Sequence, residues 1–396
     1  MPMLNNEDKK RVRDLCVDLV RTPSLSGQEK DVVEVLRTFM TSQGFDDVVV
    51  DEYGSIIGTI KGKRPGKTLL YDGHIDTVPV PDPSVWTHDP FGGEVTDGKI
   101  YGRGTSDMKG AVAAMACAAA RFAHDTGKDF AGEICVSGVV HEECFEGVAA
   151  RAISRRVNPD VVIIGEASEL NLKIGQRGRA EVVLETFGVP AHSANPDKGV
   201  NAVLSMVRLI DGLSLIKPKV QPVLGAGVSV VTDIISTPYP GASVVPSHCR
   251  ATCDRRLLVG ETPEDVLLPY REVIAGLQGA SKDFKAKASY ASGRENCWTG
   301  NVIEGERFFP GWLFDENEDF VRKALEGLRG AGLEPSISHY SFCTNGSHYA
   351  GECGIKTLGF GPSRENLAHT IDEYIEESQL YAATAGYAAI SKALLA

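Results

Sequence analysis

The chain has 396 residues, 42% of them hydrophobic and 24% charged, and a formal net charge of -12. That length exceeds one ordinary hydrophobic core and predicts two domains. The acidic balance argues against a protein that grips a phosphate backbone, which needs clustered cations. No stretch reaches the length of a membrane span, and the opening residues (MPMLNNEDKK) are too polar for a secretory signal. The nine Cys are scattered and form no CxxC pair, so they read as reduced cytoplasmic thiols.

In chain order, the first element is an amphipathic helix in which Val12, Leu15, Cys16, Leu19 and Val20 follow the i, i+3, i+4 rule. Thr22-Pro23 ends it. Ser26 and Glu29 then read as a capping box heading a second helix, with Val32, Val33, Leu36, Phe39 and Met40 on its apolar face. Strands are expected at 47–51, 55–60, 68–72, 132–140 and 161–165, and helices after Asp107 and near 145–156. Strands alternating with helices predict an α/β fold whose mixed, mostly parallel sheet is sandwiched by helices. From about 180 to 290 the order becomes strand, helix, strand, strand, helix, strand, the βαββαβ unit of ferredoxin-like domains. After it a helix at 318–332, a strand at 355–359 and a long helix from about 376 resume the first rhythm. The expected organisation is a first domain in two parts, 1–178 and 298–396, with an inserted domain at 179–297.

Ligands of open α/β sheets bind beyond the carboxyl ends of the strands, and the unusual polar residues fall there. His74 and Asp76 follow one strand, Glu142 and Glu143 another, Glu166 a third, and His369 a fourth by way of GPSRENLAH; Asp107 lies between GRGTSD and its helix. Singly, each has a plainer reading: a lone His as a core or surface residue, a lone Asp before a helix as an N-cap. Together, two imidazoles and several carboxylates form a donor set for divalent metal, zinc first, with cobalt or manganese possible. Five ligands suit two ions sharing a bridging carboxylate. The adjacent pair Glu142–Glu143, if extended, splits into one metal ligand and one general base. Asp76, two residues after His74, is expected to orient the imidazole through its other nitrogen.

The residues then match a family. GHIDTVP (73–79), DPFGGEVTDGKIYGRGTSDMKGAVAAM (89–115), HEECFEG (141–147), GEAS (165–168), PAHSANPDKGVNAV (190–203), DRRL (254–257) and GPSRENLAHTIDEY (362–374) resemble the M20 metallopeptidases and deacylases. These are the relatives of acetylornithine deacetylase, succinyl-diaminopimelate desuccinylase and carboxypeptidase G2, and the nearest branch is the selenium-metabolism-linked hydrolases. The resemblance implies a zinc-exopeptidase-like fold with a lid and dimerisation domain inserted in it. It implies that His74 and Glu166 hold one metal, Glu143 and His369 the other, that Asp107 bridges them, and that Glu142 is the general base. His192 looks like an oxyanion donor reaching a neighbouring subunit's site, and Arg256 like a clamp for a substrate carboxylate, against the plainer reading of a strand residue paired with an acid. Two stretches depart from the family pattern: Ser243 in GASVVPS stands where Asn is common, and CTNGSHYAG puts Asn345 in an altered loop, so both enter the expected substrate contacts.

The expected function is a cytoplasmic, homodimeric, two-metal hydrolase cleaving the amide bond of an N-acyl amino acid with a free carboxylate. A dipeptidase or carboxypeptidase with the same metal site is the second reading, and a non-catalytic small-molecule-binding homologue a third. GRGTSD as a dinucleotide phosphate loop is rejected, because it lacks the third glycine and a ribose-binding acid.

Overall fold

The computed structural model describes residues 4–395. It divides into two compact units, one of Arg177–Gly293 with Glu306–Trp312, the other of the rest of the chain. The first, larger unit begins with α1 (Asn6–Val20), capped by Asn5, whose side chain accepts the Asp8 amide at 2.8 Å. α2 (Lys30–Ser42) follows without a side-chain cap. The capping box expected at Ser26 and Glu29 is absent: Glu29 accepts the Gly27 amide instead, and the Ser26 hydroxyl donates to Asp76 at 2.7 Å.

Strands β1 (Asp47–Val50), β2 (Ile56–Lys61) and β3 (Arg64–His74) lead to α3 (Lys109–Thr126), β4 (Ala131–Val139), α4 (Ala150–Val157), β5 (Val161–Ile164) and β6 (Leu172–Gln176). α3 is buried along its whole length from Lys109 to Ala123, which its Ala-rich sequence permits because small side chains allow close packing on every side. The second unit contains β7 (Gly178–Phe187), α5 (Ala202–Ser214), β8 (Val228–Thr237), β9 (His248–Leu257), α6 (Pro263–Ala280) and β10 (Lys285–Tyr290). Its antiparallel sheet, to which Phe308–Phe309 adds a short fifth strand against β7, is ordered β8-β9-β7-β10. That is the ferredoxin-like order, and its core includes Val182, Leu184, Met206, Leu209 and Ile274. After β11 (Trp312–Leu313), which spans the boundary of the two segments, the larger unit ends with α7 (Asp319–Gly330), β12 (Ile337–Tyr340), β13 (Lys356–Gly359) and α8 (Glu377–Leu395).

The large sheet runs β1-β2-β4-β3-β5-β13-β6-β11, with β12 beside β6. Its centre, β4-β3-β5-β13, is parallel, and β1, β2 and β6 join through antiparallel pairings. This centre positions the site: four neighbouring strands end on one edge and release His74, the 140–147 turn, Glu166 and the loop to His369. Gly361 secures one joint, since a Cβ there would stand 2.1 Å from the Gly165 carbonyl oxygen and 2.4 Å from that of Glu166. Short apolar runs at β6 and β12 carry no periodicity that sets them apart from loop, and neither strand was expected. Among the described residues, no helix is long and apolar enough to cross a membrane.

Candidate metal centre

His74 is the last residue of β3 and is buried. Its Nδ1–H donates to the Asp76 main-chain carbonyl at 2.9 Å, which fixes the tautomer and leaves Nε2 as an acceptor. Nε2 faces Asp107 Oδ1 at 2.9 Å and Glu166 Oε1 at 3.5 Å. The other oxygen of Asp107 lies 3.1 Å from His369 Nε2, and the same nitrogen is 3.1 Å from Glu143 Oε2. Asp107 therefore stands between two imidazoles, one per oxygen, with Glu166 on one side and Glu143 on the other. His141 and His369 both adopt positive φ, +56° and +63°, a region uncommon for residues with a Cβ and often met at functional sites.

Asp76 differs from the expected role. Its carboxylate is 3.7 Å from His74 Nδ1, and the orienting contact is its backbone carbonyl. The carboxylate instead accepts the Glu142 amide at 3.1 Å, the Glu143 amide at 3.2 Å and the Ser26 hydroxyl at 2.7 Å. Asp76 thus fixes the turn that carries both glutamates. That pair sits on a turn and not on a strand as expected, yet the two side chains still diverge. Glu143 meets His369, whereas ligand atoms of Glu142, His74 and Glu166 lie within 4.8 Å of one another. His74, Asp107 and Glu143 form a second such group.

Four buried or half-buried carboxylates here face two imidazoles. Burial, and after it the charge of Asp107, pushes the Glu166 pKa up to about 8. Burial also raises Glu142 well above the ordinary carboxylate value; His74 opposes this, and Glu166, Glu146 and Glu143 add to it. Burial alone would lower the pKa of His74, but the Asp107 contact and the Glu166 charge outweigh it and hold it well above its usual value. His369 is held up at about 10, first by Asp107 and then by Glu143. Buried carboxylates in excess of the imidazoles that face them call for cations. An Nε2 lone pair facing two carboxylate oxygens is repulsive unless a proton or a cation lies between them. The residues fit divalent metal.

The expected substrate contacts are dispersed. Asn345 is buried, and its amide is spent inside the larger unit: Nδ2 donates to Asp72 Oδ1 at 2.9 Å and Oδ1 accepts the Gly147 amide at 2.9 Å. It braces the 141–147 turn, with one contact at each end of its amide. Asp72, which also accepts the Tyr349 hydroxyl at 2.7 Å and the Ser137 hydroxyl at 3.0 Å, is the hub of that support. In the second unit, Arg256 on β9 places Nε 3.0 Å from Asp254 Oδ1, and its Nη groups have no hydrogen bond among the described residues. His192 is exposed on the loop after β7, where the Ala194 amide donates to its Nδ1 at 3.1 Å. A neutral ring there carries its proton on Nε2, free to donate. Ser243 contributes its backbone carbonyl, which accepts the Ser193 amide at 3.0 Å and steadies that loop.

Residues 70–393 match the family described as peptidase family M20/M25/M40. The chain belongs to that family. It is a hydrolase of amide or peptide bonds. It is similar to the uncharacterized protein YgeY of Escherichia coli K12, 34% identical over 384 residues, covering 96% of this chain and 93% of that protein. It is also similar to succinyl-diaminopimelate desuccinylase of Cereibacter sphaeroides, 30% identical over 395 residues, with 96% and 97% covered. The crystal structure of Bacillus subtilis YxeP, described as a dinuclear metal binding peptidase from the M20 family, shares the fold, with a TM-score of 0.72 at 15% identity over 98% of both chains.

Proposed function

We propose that this M20 hydrolase deacylates N-acyl amino acids at a site for two divalent metal ions. The observation that supports it is Asp107, whose two oxygens face His74 and His369 separately, with Glu166 and Glu143 completing a set of donors on either side. His74 and Glu166 would hold one ion, His369 and Glu143 the other, and Asp107 both. The mixture of imidazole and carboxylate favours zinc, with cobalt or manganese also accommodated. Bound there, the metals supply positive charge that polarises an amide carbonyl and acidifies water.

The chain's own residues do the rest. Glu142, held by the Asp76–turn contact and raised in pKa by burial, takes a proton from the attacking water at its carboxylate and returns it to the leaving amine. His192, with Nε2–H free, donates to the developing oxyanion. Arg256 offers its Nη fork to the substrate's free carboxylate. The desuccinylase similarity supports an N-acyl amino acid as substrate. A screen of N-succinyl, N-acetyl and other N-acyl amino acids beside dipeptides tests this, and the deacylase reading fails if only dipeptides turn over.

The protein is further proposed to act as a homodimer joined through the second unit. β8 lies at the margin of its sheet, paired among the described residues with β9 alone, and Val230, Ile234 and Ile235 on it are about half exposed, at 50%, 51% and 51%. Leu204 and Val207 of α5 are exposed too, at 59% and 53%. A long apolar edge strand is a template for pairing with another chain, and a second copy offers the same edge in a self-complementary contact. The free thiols, seven of nine buried, suit a reducing cytoplasm.

Two outcomes are expected. Chelator-treated protein loses activity and regains it with about two ions per chain, measured by elemental analysis against recovered rate; full activity at a single ion removes the dinuclear assignment. Converting a good substrate's carboxylate to the amide cuts kcat/KM by about tenfold or more, and Arg256→Lys cuts it as well, because the lysine lacks the planar fork. Equal rates on acid and amide return Arg256 to a strand residue paired with Asp254.

A further inference from the structure

The segment that brings His369 to the site is anchored at several points within eight residues. Asp372 accepts the Thr87 amide at 2.8 Å, the Thr87 hydroxyl at 2.7 Å and the His88 amide at 3.2 Å. Tyr374–Glu376 pairs as a strand with Lys99–Tyr101. Between these anchors lies Glu373, fully buried. Its Oε1 accepts three backbone amides, from Gly104 at 3.1 Å, Ser106 at 2.8 Å and Asp107 at 3.1 Å. Its Oε2 accepts Arg103 Nη1 at 2.6 Å, and its own carbonyl accepts the Gly102 amide at 2.8 Å. Among the described residues, every hydrogen bond of this side chain goes to the 103–107 turn.

That turn needs an external organiser. Gly102 and Gly104 sit at φ +140° and +88°, conformations that glycine reaches readily and that a glycine-rich segment does not hold by itself. A carboxylate that takes three amides and a guanidinium is a strong, multi-point constraint. At the end of the constrained turn stands Asp107.

We propose that Glu373 is a positioning residue for the metal centre: it locks the 103–107 turn so that the two oxygens of Asp107 face His74 and His369. Because Glu373 lies four residues after His369, the same carboxylate also ties the shared ligand to one of the residues it is shared with. The proposal rests on the two-metal reading above. Glu373→Gln is the sharpest probe. An amide offers one acceptor oxygen and one NH2 group. It cannot satisfy the three turn amides and Arg103 together, since the NH2 opposes a donor on whichever side it faces. Either the turn or the buried guanidinium loses its partner.

The test is an equilibrium titration of the chelator-stripped full chain with zinc, against a competing chromophoric chelator. It is run beside the visible absorption of the cobalt-loaded protein, which reports ligand geometry independently of turnover. Glu373→Gln is expected to weaken zinc binding by about 10–100-fold, the usual effect of removing a residue that orients a ligand, and to alter the cobalt spectrum. Glu373→Asp, one methylene shorter, is expected to do the same and serves as the probe if the Gln variant does not fold. Asp372→Ala loosens the same segment at the Thr87 contact without touching the 103–107 turn, and is expected to bind zinc as wild type does. Folded Glu373 variants with lower melting temperatures but wild-type affinity and spectrum would make Glu373 a structural clasp and overturn the inference. Equal weakening by Asp372→Ala overturns it too. A wild-type chain that takes up fewer than two ions overturns the two-metal reading and this inference with it, whereas two ions bound unchanged by Glu373→Gln overturns this inference alone.

Discussion

Glu142→Ala is expected to retain its metal and lose about 10²–10⁴ in kcat, the usual contribution of a positioned acid–base group and roughly 3–5 kcal/mol of barrier. Glu143→Ala is expected to lose metal instead. The two residues are neighbours on one turn whose amides both bond to Asp76, so a general disturbance of the turn affects both alike. What separates them is direction: Glu143 meets His369 at 3.1 Å, while Glu142 turns toward His74 and Glu166. Stability offers a second readout. Glu142 has a folded-state pKa raised well above normal, by burial foremost, so its ionised form disfavours the metal-free fold, and this penalty grows as pH climbs above the ordinary carboxylate pKa. Metal-free Glu142→Ala is therefore expected to melt no lower than metal-free wild type at pH 8, by calorimetry. Elemental analysis and single-substrate kinetics on the two variants decide the assignment. If Glu142→Ala loses metal and Glu143→Ala keeps it, base and ligand are exchanged.

The site's donors were legible because the sheet imposes a rule. β3, β4, β5 and β13 run parallel side by side, so polar residues just past their carboxyl ends must gather on one edge, however far apart they lie in sequence. His74, Glu142, Glu143, Glu166 and His369 obey that rule. The βαββαβ order was legible for a related reason, as each of its elements carries its own periodicity. The supporting residues follow no such rule. Asp76 orients His74 with its main chain and spends its carboxylate on amides 66 and 67 residues away. Glu373 reaches amides about 270 residues back. Asn345 reads as a loop residue open to substrate, yet both ends of its amide close on Asp72 and Gly147. Ser26, spaced three residues before a glutamate, has the local signature of a helix cap and serves Asp76 instead. In each case a side chain serves a distant backbone or carboxylate, and neither spacing nor composition records such a partner. Strand ends can be placed from pattern, but the hydrogen bonds that stiffen them need coordinates.

His192→Ala is expected to bind metal normally and lose about 10²–10³ in kcat, the cost of one oxyanion donor. The residue belongs to the second unit, exposed on the loop that follows β7, and none of the proposed metal ligands shares that unit. Its ring is prepared for donation: the Ala194 amide occupies Nδ1, and the Ser193 amide is pinned to the Ser243 carbonyl, so the loop presents Nε2–H in a defined place. A turn residue that merely caps its loop would show the same Nδ1 contact, so kinetics on the single variant does not separate a donor within its own chain from one serving the partner. Subunit exchange does. A His192→Ala chain keeps Glu142, and a Glu142→Ala chain keeps His192; in the proposed homodimer, neither variant is active by itself. Random pairing makes half of all dimers mixed, and each mixed dimer contains one complete site if the donor crosses between subunits, so about a quarter of wild-type activity returns. If the donor acts within its own chain, neither site of the mixed dimer is complete, and the mixture stays inactive. Native mass spectrometry of differently tagged chains establishes that exchange has occurred. With exchange shown, recovery near a quarter assigns His192 to the partner's site, whereas no recovery removes the trans donor.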